Sequence, residues 1–586
     1  MGSIRGHQSR GDSPPDGLVR VGVVLDERSV RRWHSTAISE IERLGFCELT
    51  VFARDSGGGG ARRWTEAARH LLYEAYVRAD RRWFGRDDDP LATVPVESCG
   101  GATARRVRLP GDPSSASNVA AVAAEDLDVL LCLAPEISTE RLAACARFGA
   151  WTMYAGGLRG RAGEAQLFWQ MKESDFVAPI TLRAHTPTDG ERTIYESVVA
   201  SDQVSLHRSR SRAARRAAHL PARRLRDLHQ RGWPFITCLP TYAERDTTPE
   251  RGRSRPSNTM MVRLLWRVAR GVASRRLADR LAEKQWFIAY RRIEEGVPAN
   301  GDSARLTTIT PPAGRFYADP FLFQRDGRRF IFFEDYEWSC QRAVICYVEI
   351  DERGRHCPPR MALKQDCHLS YPFVFEENDA VYMLPETAGR RTVELYRASS
   401  FPGEWTLDRV LLRDVCATDA TLLRHDGRLW LFAAMAVDGR DPAIDELFIF
   451  SSDSLEGEWE PHRMNPVVSD VRCARPAGRI FRRDGHLIRP AQDCSRSYGW
   501  RLVFNRIEAL SPTDYRERQI GAIEPAPDSG NFKSHSYDSD GTYEVLDGFR
   551  MRPRISLAGI PRPLLQPRWH RVDLESPGRE RSILDS

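Results

Sequence analysis

Apolar and polar positions follow two different rhythms along this chain, and the change of rhythm divides it. From Val19, short unbroken apolar runs ("VRVGVVLDE", "CELTVFA", "DLDVLLCLAP", "AWTMYAG") are separated by stretches with helical spacing: "STAISEIERLG", residues 63–83 and "ISTERLAACARFG". Apolar runs of this length read as strands buried on both faces. Their alternation with helices predicts an α/β, Rossmann-like domain with a largely parallel sheet over residues 19–203. Beyond residue 300 the period falls to two and the text repeats. "YADPFLFQRDGRRFIFFE" begins at Tyr317, "LSYPFVFEENDAVYMLPE" at Leu369, "ATDATLLRHDGRLWLFAA" at Ala417 and "CARPAGRIFRRDGHLIRPA" at Cys473. A worn fifth copy, "SHSYDSDGTYEVLDGF", begins at Ser534. Each copy is a hairpin around an Asx-Gly or similar turn. The turn residues Asp326, Asn378, Asp426, Asp484 and Asp540 lie 52, 48, 58 and 56 positions apart. Further strands such as "RAVICYVEI", "TVELYRAS" and "ELFIFSS" fill the intervals, and the spacers "FPGEWTL" and "LEGEWEPH" recur. Repeats of this length with about four strands each predict a five-bladed β-propeller over residues 301–556.

Residues 204–300 separate the two patterns and read as an Arg-rich helical connector. "SLHRSRSRAARRAAHLPARRLRDLH" is expected as a solvated surface helix or linker. Residues 260–292 are expected as one amphipathic helix packed between domains, with contact of its basic side to a membrane surface as the alternative. Residues 1–18 are expected as a disordered tail and 557–586 as a C-terminal tail. The Arg10-Gly11-Asp12 adhesion-like string in the first tail is taken as coincidence.

Composition narrows the function classes. A chain of 586 residues exceeds what one core sustains, in keeping with several domains. The formal charge of +6 is carried by Arg, yet no aromatic interleaving or nucleic-acid module accompanies it, so nucleic acid is not an expected partner. Twelve cysteines without C-x-x-C or zinc spacing predict reduced thiols, a cytoplasmic protein and no metal site. The glycine run at 57–60 lacks the Lys-Ser/Thr of a P-loop and the spacing of a dinucleotide fingerprint, and no cofactor is expected. "MGSIRGHQSRGDSPPDG" has no apolar core of a secretory signal, and no apolar run reaches the roughly 18 residues of a membrane span.

The first strand of a propeller blade lines the central channel. Repeat phase therefore sends Asp319, Tyr371, Asp419 and Arg475 to one funnel, and second-strand ends and loops add Glu334, Glu386, His368 and Asp493. Converging carboxylates are what glycosidic chemistry requires: one protonates the leaving oxygen while another activates water or attacks carbon. The competing reading makes each Asp a turn cap.

"FYADPF", "HLSYPFVF", "YMLPET", "TDATL" and the preceding "QWFIAYR" carry a resemblance. Residues 316 to about 550 resemble the five-bladed propellers of arabinanases, xylosidases and fructosidases. More closely, they resemble the N-terminal domain of plant glucosamine inositolphosphorylceramide transferase and its bacterial relatives. In the hydrolases, a base Asp opens the first blade, a second Asp opens the next, and a Glu is the acid. The resemblance gives Asp319 the first role and sets Tyr371 where the second Asp would stand. Glu386 or Asp419 is left as the acid, with His368 and Arg475 alongside. Residues 19 to about 203 are similar to the formyltransferase domains acting on methionyl-tRNA and glycinamide ribonucleotide. Where that family has Asn-x-His this chain has Thr152-Met153-Tyr154, with Asp189 or Glu191 as the acidic candidate. A Tyr cannot replace a cationic imidazole near neutral pH, so the fold is expected without the folate-dependent reaction. Gly156 and Gly157 remain candidates for a pocket lining.

Three functions stay open. The first is a carbohydrate-active enzyme transferring or cleaving a glycosidic bond in the funnel. The second is a non-catalytic glycan-binding scaffold. The third is a formyl or acyl transferase acting on an amino sugar.

Overall fold

A computed structural model describes residues 17–28, 30–55, 69–85, 87–101, 104–134, 137–155, 167–170, 176–239, 255–293, 306–436, 442–525, 531–554 and 569–573. The adhesion-like string, the 57–60 glycine run, Gly156 and Gly157 lie outside them. The chain forms two compact units that divide between Ala269 and Arg270.

In the first unit the strands are β1 (Val19–Asp26), β2 (Cys47–Asp55), β3 (Arg105–Pro110), β4 (Val129–Cys132), β5 (Ala150–Ala155), β6 (Val177–Thr186) and β7 (Gly190–Ala200). They form one sheet in the order β3-β2-β1-β4-β5-β6-β7. The first five are parallel, and β6 and β7 return antiparallel. Alternate residues serve opposite faces. Val21 and Val23 join one core with Trp33 and Ile38 of helix α1 (Arg32–Glu42), whereas Val24 and Leu130 join another with Val122. Helices α2 (Leu71–Phe84) and α3 (Ala116–Ala123) complete the layers, and the stretch "ISTERLAACARFG" makes only a single α-turn, Thr139–Leu142, and a 3₁₀ turn.

The connector expectation fails at both ends. Residues Leu206–Cys238 form α4, broken at Gly232, and it packs against α1, β6 and β7. Its Ala213, Ala214, Ala217, Ala218, Leu220, Leu225 and Leu228 are buried in the core. A stripe of small residues lets the helix approach closely, and its arginines leave along the edges: Arg212 donates to Ala200 O at 2.7 Å and Arg224 lies 4.5 Å over the Tyr195 ring. Helix α5 (Asn258–Leu281) then stops, and Ala282–Arg292, expected as more helix, is a strand of the propeller.

The second unit is that propeller. Blade one comprises Arg315–Arg325, Arg328–Glu337, Arg342–Ile350 and Arg360–Leu363. Blade two comprises Ser370–Glu377, Ala380–Glu386, Thr392–Ser400 and Glu404–Arg413, and blade three Ala417–His425, Arg428–Met435, Leu447–Ser452 and Glu460–Pro461. Blade four has its inner strand split into Arg475–Pro476 and Phe481–Arg483, followed by His486–Asp493, Arg501–Leu510, Tyr515–Pro525 and Trp569–Asp573. Blade five joins Tyr537–Ser539 and Tyr543–Pro553 to Ala282–Arg292 and Thr307–Ile309. The propeller thus begins before residue 301, and the ring is closed by a strand that precedes its first blade, paired from Tyr543↔Arg292 to Pro553↔Ala282. The hairpin turns at Asp326-Gly327, Asn378-Asp379, Asp426-Gly427 and Asp484-Gly485 all hold two successive positive φ angles, the geometry that tight hairpins require. Where blade four meets blade five, a Cβ on Gly478 (φ 141°) would stand 1.8 Å from Tyr537 O, so only glycine fits.

Candidate active site in the propeller funnel

Each of the first three inner strands carries the same irregularity. Register breaks between Ala318 and Phe321, between Ser370 and Phe373, and between Thr418 and Thr421. The residue inside each break has a left-handed backbone: Asp319 (φ 51°), Tyr371 (φ 47°) and Asp419 (φ 53°). A bulge of this kind turns one side chain out of the strand's alternation. The repeated "ADP", "SYP" and "TDA" are the sequence form of that bulge.

The three re-aimed side chains are linked across blades. Asp319 accepts from Ser536 Oγ at 2.7 Å and from Tyr371 N–H at 3.3 Å, and His535 Nε2 faces it at 3.5 Å. The Tyr371 hydroxyl meets Thr421 Oγ1 at 2.8 Å. Asp419 is gripped by Arg475 through Nε and, at 3.1 Å, through Nη2, and it accepts from Gln492 Nε2 at 2.7 Å. Glu386 accepts the Asp419 backbone N–H at 3.4 Å and lies 3.7 Å from Arg475 Nη2. Glu334 lies 3.4 Å from His368 Nε2. Tyr498 covers Arg475, whose guanidinium is 4.9 Å from the ring centre.

Burial and crowding set the protonation of these acids. Burial, aided by Asp419 and opposed by Arg475, pushes the Glu386 carboxyl up to about 8. Burial also raises Asp319, to about 6, although His535 pulls it down. Glu334 is raised well above the usual carboxylate range by burial and then by Asp319 and Glu386. Glu386 is thus held at a higher pKa than Asp319.

The structure brings Asp319, Glu334, Tyr371, Glu386, Asp419, Arg475 and His368 into this neighbourhood. It spends Asp493 elsewhere: that carboxylate accepts from Ser495 N–H at 3.0 Å and Arg501 Nε at 2.9 Å, which satisfies it within its own blade. In the α/β unit, Thr152 is buried with no hydrogen-bond partner for its hydroxyl among the described residues, and Tyr154 OH donates to Glu191 at 2.7 Å beneath Arg183. Asp189 sits in the β6–β7 turn, where it engages Thr186.

Sequence reasoning missed Gln492, His535, Ser536 and Asp547. Gln492 was in phase: it lies eight positions beyond its turn residue Asp484, as Glu334 and Glu386 lie eight beyond Asp326 and Asn378. His535, Ser536 and Asp547 belong to the worn fifth copy, of which only the turn is recognisable. Among the described residues, Asp319, His535 and Asp547 bring ligand atoms within 4.8 Å of one another. The three side chains are joined in one network. Asp547 pairs with His535 Nδ1 and accepts the backbone N–H groups of His535 at 2.8 Å and Ser536 at 3.1 Å.

Residues 303–533, which take in blades one to three and blade four as far as Pro525, match the family model for glucosamine inositolphosphorylceramide transferase 1, N-terminal. The chain is 35% identical over 288 residues to glucosamine inositolphosphorylceramide transferase 1 of Oryza sativa subsp. japonica, covering 45% of this chain and 39% of that protein. It is 36% identical over 208 residues to the Arabidopsis thaliana protein of the same name, covering 35% and 27% respectively. This chain therefore spans well under half the length of either relative. Among solved structures, Zg3597, a family 117 glycoside hydrolase of Zobellia galactanivorans, aligns over 46% of this chain and 92% of its own at 12% identity and TM-score 0.29. RS223-Beta-xylosidase aligns over 40% and 93% at 14% identity and TM-score 0.27. The propeller segment, residues 303–533, is thus similar to the N-terminal region of glucosamine inositolphosphorylceramide transferase 1.

Proposed function

We propose that the propeller is a carbohydrate-active domain that binds a sugar or glycoconjugate in its funnel and transfers or cleaves a glycosidic bond there. The observation that carries this is the convergence of Asp319, Glu386 and Asp419 from three successive blades, with Tyr371 N–H on Asp319, Asp419 N–H on Glu386, and Arg475 reaching both Asp419 and Glu386. In this reading Glu386 gives its proton to the glycosidic oxygen as the bond to the anomeric carbon breaks. Asp319 takes the proton of the incoming hydroxyl, from water or an acceptor sugar, as that oxygen attacks. Arg475 holds Asp419 in place through two hydrogen bonds. The similarity to the N-terminal region of a named transferase supports a carbohydrate ligand, and Tyr371 in place of a second Asp argues against plain hydrolysis. The test is to incubate the purified protein with a panel of glycosides and activated sugars and follow released or transferred sugar. Turnover that survives in both Glu386→Gln and Asp319→Asn would sink the catalytic reading.

A non-catalytic sugar-binding scaffold is the second reading, favoured by the near-complete burial of Asp319 and Asp419. It expects sugar binding without turnover, weakened by Asp319→Asn. A formyl- or acyl-transfer reading gains no support from Tyr154, whose hydroxyl is committed to Glu191.

We also infer that α5 gives the protein peripheral contact with an anionic membrane. No helix among the described residues is long and apolar enough to cross one. Yet Val262, Trp266, Leu277 and Leu281 are exposed on α5 among Arg263, Arg267, Arg270, Arg275, Arg276 and Arg280. Co-sedimentation with phosphatidylserine-containing vesicles should fall with added salt and with Trp266→Ala. Indifference to both would remove this inference.

A further inference from the structure

The end of the second strand of blade one reads Glu334-Asp-Tyr336-Glu-Trp338, and successive odd steps along a strand face opposite sides. Glu334 and Tyr336 therefore share a face, and Trp338 continues it just past the strand end at Glu337. Exposure climbs along this line: Glu334 is 5% exposed, Tyr336 half-buried, and Trp338 43% exposed. Across the strand pair, Phe316 lies opposite Tyr336, and the two rings stack with centres 4.5 Å apart at 11°. The Trp338 ring stands edge-on to both, 5.1 Å from Tyr336 and 5.7 Å from Phe316. Its backbone N–H is tied to Gly314 O at 3.0 Å. The Tyr336 ring is also 5.8 Å from the His368 ring, whose Nε2 reaches Glu334. A fixed aromatic surface thus leads without interruption from the buried funnel acids to solvent.

We propose that Tyr336 and Trp338, backed by Phe316, form a stacking subsite for the sugar ring attached to the one held in the funnel. The proposal rests on the reading that the funnel binds sugar, and it assigns that site a second ring position. A pyranose has an apolar face of C–H groups and a polar edge of hydroxyls. The platform supplies the matching halves: aromatic faces, and at their border His368 and Glu334. An acyl chain laid on the same surface would strip water from those polar groups with nothing to replace it.

The experiment uses the full chain and saturation-transfer NMR. Its probes are the methyl glycosides of glucose, galactose, glucosamine and glucuronic acid, and disaccharides built from each. The reading is the affinity of a disaccharide relative to its own monosaccharide within one protein sample, so a partly unfolded variant does not distort it. Wild type should favour the disaccharide by about tenfold, the scale of one good aromatic contact. Trp338→Ala and Tyr336→Ala should bring that ratio below about threefold, and Trp338→Phe should keep most of it. Glu386→Gln should weaken both ligands and leave the ratio standing. A ratio unchanged in both alanine variants overturns the subsite while leaving the funnel reading intact. Absence of binding by wild type to every probe overturns the funnel reading and the subsite with it. Loss of co-sedimentation with phosphatidylcholine vesicles in Trp338→Ala, with the sugar ratio unmoved, assigns the platform to lipid and overturns the proposal.

Discussion

Tyr371 keeps a left-handed backbone that an aromatic L-residue adopts only at a cost of about 1–2 kcal/mol. Its surroundings offset that cost: the ring packs edge-on to Phe321 at 4.8 Å and the hydroxyl reaches Thr421. Tyr371→Phe should therefore lower unfolding stability by about 1 kcal/mol in denaturant titration, since it removes one buried hydrogen bond of the Thr421 hydroxyl, which keeps its bond to Asp419 O at 3.2 Å. The funnel acids make a prediction in pH. Glu386 must be protonated to act as the acid, so turnover should fall as pH rises through about 8, and Asp319 must be ionised to act as the base, so turnover should fall as pH drops through about 6. A rate profile flat from pH 5 to 9 would contradict both roles. The Glu386 carboxyl also carries a stability cost that grows with pH. Folded Glu386 holds its proton above its ordinary value of 4.5, so the native state binds more protons than the unfolded one, and stability declines as pH climbs from there towards 8. Glu386→Gln should accordingly raise the melting temperature relative to wild type more at pH 8 than at pH 5. Of these residues, Asp319, Tyr371 and Asp419 were legible because they recur in phase. His535 and Asp547 were not, because their copy of the repeat has lost the pattern that would align them.

The hairpins were legible for a chemical reason: an Asx-Gly pair between two apolar runs is nearly committed to a tight turn. Ala282–Arg292 and α4 were hidden for the opposite reason. "QWFIAYRR" satisfies both a helical and a strand period over its short length, and only its partner 543–553 decides the matter. In α4, high arginine content masked an alanine stripe that is the true contact face. Packing between elements also fixes one glycine whose role no local rule reveals. Gly478→Ala would drive a methyl group into Tyr537 O and disturb the Tyr537 N–H to Ala477 O bond of 2.8 Å. The expected cost is about 2–4 kcal/mol of unfolding stability. Alanine at Gly327, whose Cβ would meet open space, should cost only the strain of its positive φ, about 1 kcal/mol.

For the whole molecule, the strand supplied from before blade one is the closing stitch of the ring. A chain started at residue 301 lacks Ala282–Arg292 and leaves the Tyr543–Pro553 edge open, so it should aggregate or unfold without cooperativity, whereas one started at residue 270 should melt in a single transition. Equal cooperativity in the two would show that the stitch is dispensable. The stitch also imposes a timetable on biosynthesis. Arg291 and Glu544, which bond across it, are 253 positions apart, so on a ribosome adding about 5–20 residues per second the earlier strand waits roughly ten to fifty seconds for its mate. Throughout that interval a nascent chain displays an apolar edge that a neighbour on the same message can capture. Crowded polysomes should thus favour exchanged dimers, and slower initiation should favour monomeric rings.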